Sequence, residues 1–183
     1  MTSFSSEYTE DEQRGKYGTP EYIVEPLADA VGGFDLDPAA GAEPTPYADE
    51  RVVPGPGDTT TSGGGLDMDW HGDVWLNPPY GRAENPAWAE KVREQLGNVD
   101  SITCLIPSST TAAWFQDTYS VFDYVALPGF RIEFVSGASF APAGFDNMIA
   151  AYGDLPDDYP EALAGLSRPG EEDSTMVLDV RTD

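Results

Sequence analysis

The sequence predicts an α/β fold: one sheet, parallel at its centre, with an antiparallel hairpin toward the C-terminal end. Three observations predict it. Short apolar runs such as Val74-Trp75-Leu76, Ser101–Ile106 and Met148–Tyr152 have strand length and are bounded by turn residues. Segments with helical spacing alternate with such runs over the first two thirds of the chain. In the last third, strand candidates follow one another more closely.

Taken in order, residues 1–16 are charged and turn-rich and read as a flexible N-terminal arm, leaving 17–183 as a single domain. Thr19 reads as an N-cap with Pro20 at the first helical position. Val24, Leu27 and Val31 then follow at helical spacing, and Gly32-Gly33 stops the helix. Phe34 to Asp37 is a short strand. Residues 41–66 hold six glycines and four prolines and read as a loop excursion. After the strand at Val74–Leu76, Asn85 and Pro86 open a helix whose Trp88, Val92 and Leu96 share one face, with Gly97 closing it. Ser101–Ile106 is a buried strand and Thr110–Thr118 a short helix. Tyr124–Leu127 and Arg131–Val135, parted by Pro128-Gly129, form the expected hairpin. Met148–Tyr152, a helix at Pro160–Leu166 and a strand at Met176–Val180 complete the chain.

Charge is the dominant compositional feature. Of 183 residues, 33 are Asp or Glu and nine are Lys or Arg, giving a formal net charge of −24. Only Lys16 and Lys91 are lysines. In dilute buffer such a surplus opposes compaction, whereas at molar salt the Debye length falls to about 3 Å and screens it. The composition therefore predicts a protein suited to a salt-rich cytoplasm. The plainer alternatives are an ordinary acidic protein or a charge mimic of DNA. With 40% hydrophobic residues the chain has material for a core, but no apolar run is long enough for a membrane span. The polar, acidic start predicts no signal peptide. The single cysteine, Cys104, excludes an internal disulfide and a cysteine-based zinc cluster. It reads as core, and the single histidine, His71, as a turn residue. Ser108 to Thr111 have no histidine to activate a nucleophile, and the Trp88/Val92/Leu96 stripe reads as packing.

Asn77-Pro78-Pro79-Tyr80 directly after an apolar strand is the sharpest signal. Two prolines fix φ near −65° and remove two N–H donors, leaving a stiff turn whose carbonyls are free to accept. Asn77 adds a side-chain acceptor and Tyr80 a flat ring. Together they can hold an exocyclic NH₂ and stack on the planar group that bears it. The plainer reading is a strand-ending turn with an exposed tyrosine. Asp37-Pro38 also falls at a strand end, and in α/β sheets ligands bind beyond the carboxyl ends of the strands.

These segments, in order, resemble a known family. Tyr17-Gly18-Thr19-Pro20 precedes a helix; Phe34-Asp35-Leu36-Asp37-Pro38-Ala39-Ala40 and Gly65-Leu66 follow. Asp69-Trp70 comes before Val74-Trp75-Leu76-Asn77-Pro78-Pro79-Tyr80-Gly81. Leu105-Ile106-Pro107, Trp114-Phe115 and Arg131-Ile132-Glu133-Phe134 come last. The pattern resembles the amino-methylating, S-adenosylmethionine-dependent methyltransferases, and more closely the small DNA N6-adenine methyltransferases of phages and prophages. The resemblance implies a Rossmann-like class I methyltransferase sheet, S-adenosylmethionine as cofactor and adenine N6 in double-stranded DNA as acceptor. It implies cofactor contacts at Thr19 and Pro20, where a helix N-terminus suits a carboxylate, and at Asp37, Pro38 and Ala39. Asp67 or Asp69 would lie near the cofactor's adenine, the alternative being a solvated surface. Ala39-Ala40-Gly41 departs from the family's Gly-x-Gly turn, and no acid stands out for the ribose hydroxyls. The catalytic set is Asn77, Pro78, Pro79 and Tyr80, with Tyr80 stacking on a flipped base. No metal is required, because positioning and electrostatics do most of the work.

Arg82, just beyond the motif, is the candidate DNA contact; a surface carboxylate is its alternative partner. Cytosine N4, an RNA base or a protein glutamine amide would suit the same motif. A noncatalytic acidic binding protein is the rival from a different class. Charge and motif together point to a halophilic archaeon or its virus, acting in the host cytoplasm if viral. Neither recognition sequence nor oligomeric state is encoded in any motif.

Overall fold

The computed structural model describes residues 18–41, 45–53, 64–136, 139–142 and 144–181. The arm expected at residues 1–16 lies outside them. The elements run α1 (Glu21–Val31), β1 (Phe34–Asp37), β2 (Ala48–Arg51), β3 (Asp73–Leu76), α2 (Glu84–Gln95), β4 (Ser101–Pro107) and α3 (Ala113–Tyr119). They continue with β5 (Tyr124–Pro128), β6 (Glu133–Ser136), β7 (Ser139–Pro142), β8 (Asn147–Gly153), α4 (Tyr159–Ala164) and β9 (Thr175–Asp179).

Seven strands form one sheet in the order β2-β1-β3-β4-β8-β5-β9. β2, β1, β3 and β4 are parallel, whereas β8, β5 and β9 each run antiparallel to the strand before them. The parallel part is thus one half of the sheet and not its centre. β1 leads outward to β2, and β3 leads the other way to β4. The chain therefore parts between the carboxyl ends of β1 and β3, which is the switch point where such sheets open a crevice.

Alternation along the strands buries both faces. Trp75, Leu105, Ile149 and Ala151 join Ile23, Val24 and Leu27 of α1 and Tyr159 and Leu163 of α4 in one cluster. Val74, Leu76, Ile102, Cys104, Ile106, Met148 and Ala150 join Trp88 and Val92 of α2 and Phe115 and Tyr119 of α3 in the other. Cys104 is fully buried in β4, and burial raises its thiol pKa far above the usual value. Near-continuous apolar β4 and β8 fit this two-sided burial.

Several local expectations shift. α1 begins at Glu21 with Pro20 as N-cap, which has no polar side chain to cap it, and the Thr19 hydroxyl instead accepts from Asn77. Gly32 closes it at φ +82°, with the Gly33 amide returning to the Ala28 carbonyl. α2 begins at Glu84, ahead of Asn85, whose side chain instead accepts from the Gly81 amide at 3.4 Å. Within the expected loop 41–66, residues 48–51 form an edge strand. The proposed hairpin of 124–127 with 131–135 does not form. β5 pairs with β8 and β9, and the Gly129 amide donates to the Ser174 carbonyl at 2.7 Å. An antiparallel hairpin exists nearby, but it is β6 with β7, apart from the main sheet. It is anchored to the start of α1 by a two-bond bridge between Gly18 and Val135 and by the Glu133 amide donating to Tyr22 Oη at 3.1 Å.

Candidate active site

β3 is buried at Val74, Trp75 and Leu76, and its ladder cannot continue through Pro78-Pro79. The chain therefore turns at Asn77, at the carboxyl edge of the sheet. There the Asn77 amide is held at both ends. Its Nδ2 donates to Thr19 Oγ1 at 3.0 Å, and its Oδ1 accepts from the Tyr80 hydroxyl at 2.8 Å. The Leu105 carbonyl, at 2.9 Å, shares the same phenolic proton. Asn147 Nδ2 approaches the Tyr80 oxygen from β8 at 3.4 Å. Burial holds the phenol pKa well above its usual value, with Cys104 acting in the same direction, so Tyr80 is a neutral donor throughout the physiological range. Phe145 and Phe134 meet the Tyr80 ring edge-on at 5.5 and 6.3 Å.

A cleft of about 420 Å³ opens beside Tyr80 and is lined also by Gly81, Asn85, Ser108, Phe145 and Asp146. Asp146 pairs with Arg131 at 3.6 Å on its exposed rim. Arg82 is exposed two residues past Tyr80, with no carboxylate in ion-pair range among the described residues.

Asp37 closes β1 on the other side of the switch point. It is 3% exposed and accepts from the Ala39 amide at 3.1 Å. Burial raises its carboxyl pKa to about 6, outweighing the hydrogen bonds from Ala39 and Thr45 and the charge of Arg51. The following loop is covered by a turn at Gly65: a Cβ there would lie 1.8 Å from the Pro38 carbonyl oxygen. Asp67 and Asp69 are both exposed on that turn. Asp67 donates its amide to the Gly64 carbonyl, close to the Pro38 contact. Asp69 precedes Trp70, whose amide is tied to Gln95 at the end of α2.

The structure thus brings Thr19, Asn77 and Tyr80 into direct contact. It sets Asp37, Pro38 and Ala39 on the neighbouring strand end, with β1 registered on β3 through Leu36 and Val74. Asp69 and Arg82 share no hydrogen bond with that group. His71 lies away from it, exposed and 3.2 Å from Glu50. Sequence reasoning named Leu105 and Phe134 only as pieces of the family pattern, without a role, and missed Asn147, Phe145 and Asp146. Asn147 reaches the site only because β8 returns antiparallel to β4 with Asn147 opposite Pro107.

An open α/β sheet with Asn-Pro-Pro-Tyr at its switch point is the architecture of the Rossmann-like methyltransferase class. The family model for DNA N-6-adenine-methyltransferase (Dam) matches residues 6–148, and the chain belongs to that family. It is 27% identical over 143 residues to the DNA N-6-adenine-methyltransferase of Escherichia phage T1, covering 74% of this chain and 54% of that protein. The chain therefore spans about half the length of that relative. Among solved structures, a Pyrococcus horikoshii protein assigned as an RNA methyltransferase superposes with a TM-score of 0.49 at 16% identity, over 85% of this chain and 93% of that one.

Proposed function

We propose that the protein transfers a methyl group from S-adenosylmethionine to N6 of adenine in double-stranded DNA. The observation that carries this reading is the Asn77 amide, fixed between Thr19 and Tyr80 at the switch point and next to an open cleft.

The residues present fit the cofactor. The first amides of α1, beside Thr19 and Pro20, have no intrahelical acceptor and suit a carboxylate. Asp37, Pro38 and Ala39 would line the adjoining wall. Asp67, on the turn packed over Pro38, is the better placed of the two acids to accept from an adenine amino group. S-adenosylmethionine, when bound, supplies an electrophilic methyl on a sulfonium.

The protein's own part is to hold and orient the acceptor. One lone pair of Asn77 Oδ1 is used by Tyr80, and the second is free for one hydrogen of the target NH₂. The Pro78 carbonyl takes the other. Both hydrogens pulled to acceptors draw electron density toward the nitrogen, and its lone pair is aimed out of the base plane. Pro79 stiffens the turn. Tyr80, lining the cleft, offers the ring on which an extruded base stacks, and Arg82 stands outside to meet a phosphate. The charge balance supports a salt-rich cytoplasm as the setting of this activity, that of an archaeal halophile or of the host of its virus.

The test is to express the protein in cells lacking adenine methylation and sequence their DNA for modified bases. N6-methyladenine at a defined context is the expected result. N4-methylcytosine alone would reassign the acceptor, and unmodified DNA together with no binding of S-adenosylmethionine would overturn the reading.

A further inference from the structure

We propose that Asn147 is a positioning residue for Asn77, acting through the hydroxyl of Tyr80. The inference rests on the methyl-transfer reading and adds to it a residue far away in sequence.

Asn147 opens β8 and is 8% exposed. Its register opposite Pro107 sets its side chain beside Tyr80. A phenol carries one proton and can also accept. With Asn147 Nδ2 donating to a lone pair of the Tyr80 oxygen, the single phenolic proton is left for other partners. Its acceptors are Asn77 Oδ1, at 2.8 Å, and the Leu105 carbonyl, at 2.9 Å. Tyr80 thereby selects which end of the Asn77 carboxamide faces it, and Thr19 holds the other end as a donor at 3.0 Å. A flipped Asn77 would oppose its NH₂ to the phenolic proton and its oxygen to Thr19. It would also present hydrogens, and not a lone pair, to an incoming amino group.

A second observation separates this role from simple packing. Asn147 Oδ1 is buried and has no hydrogen-bond partner among the described residues. An unpaired buried carbonyl destabilises a fold, and an apolar side chain of similar size would avoid that cost. The geometry therefore gives Asn147 a stabilising donor at one end and a destabilising acceptor at the other.

The test is a cycle of wild type, Asn147→Leu, Tyr80→Phe and the double variant, with kcat, KM for S-adenosylmethionine and thermal midpoint measured for each. Asn147→Leu should melt at or above the wild-type temperature while kcat falls about five- to tenfold, the value of one hydrogen bond, and the cofactor KM stays unchanged. In the Tyr80→Phe background the leucine should cost nothing further, because the hydroxyl through which it acts is gone. Asn147→Ala, which cannot overfill the site, should lower kcat by the same factor. Full kcat in either single variant, losses that multiply in the double variant, or kcat that falls only in step with the melting temperature would each overturn the assignment. A wild-type protein that methylates no adenine would instead overturn the functional reading beneath it.

Discussion

At Asn77 both ends of one carboxamide are committed to named partners, so its removal has separable consequences. Asn77→Ala should abolish most methyl transfer yet cost only about 1–2 kcal/mol of stability, for two part-exposed hydrogen bonds. Radiolabelled methyl transfer alongside urea denaturation checks both. A motif reading alone makes Tyr80→Phe mild, since stacking survives; the contacts of the hydroxyl with Asn77 and Leu105 predict a clear loss of kcat instead. Asp37 gives a pH prediction. Its carboxyl has a pKa near 6 in the fold and an ordinary value near 3.8 when unfolded. Below pH 3.8 both states are protonated. Between there and about pH 6 the unfolded chain releases its proton first, so stability falls as pH rises, and above pH 6 the penalty is constant at about 3 kcal/mol. Asp37→Asn should therefore raise the melting temperature at pH 7.5 and flatten its slope between pH 4 and 6. Thr19, Asn77 and Tyr80 were legible in the sequence because proline spacing and helix onset mark them locally. Asn147 was not, since only the pairing of β8 with β4 brings it there.

Among the elements, those with a strong local signal match closely. Phe34–Asp37 is a strand at its expected limits, and Gly32 ends α1 at φ +82°, whereas α2 stops at Gln95 with Leu96 already extended at ψ 124°, ahead of Gly97. β2 escaped notice because Ala48–Arg51 has one buried residue and three exposed ones, between proline- and glycine-rich stretches. The hairpin was misplaced for a different reason. Pro128-Gly129 is a real break, but which strand lies beside β5 depends on β8 and β9 arriving from later in the chain. No period within a single segment carries that information. The turn over Pro38 supplies an element-scale prediction. Gly65→Ala would drive a Cβ against a backbone carbonyl that has no rotamer to yield. Loop and strand end must then separate, costing about 1–3 kcal/mol. Calorimetry should show weaker S-adenosylmethionine binding along with the lower melting temperature, whereas Gly144→Ala, with open space around it, should change neither.

Over the whole molecule the charge of −24 predicts how the protein responds to salt. Most DNA-binding proteins lose affinity as salt rises. Here screening relieves repulsion within the protein and between protein and DNA, so melting temperature and methylation rate should both climb from roughly 0.1 M to several molar KCl, where the Debye length drops below about 3 Å. An optimum at the low end would contradict the salt-adapted reading and leave the site untouched. Guanidinium chloride is awkward for following such a protein, because it is itself a salt. The burial of Cys104 offers a way round. The thiol projects from β4 into the cluster covered by α2 and α3 and is fully buried there. A sulfhydryl reagent reaches it only when those helices lift, so its labelling rate counts spontaneous openings of that face of the sheet. The protein therefore carries a native chemical clock for its own breathing, readable at any potassium concentration and without an introduced probe.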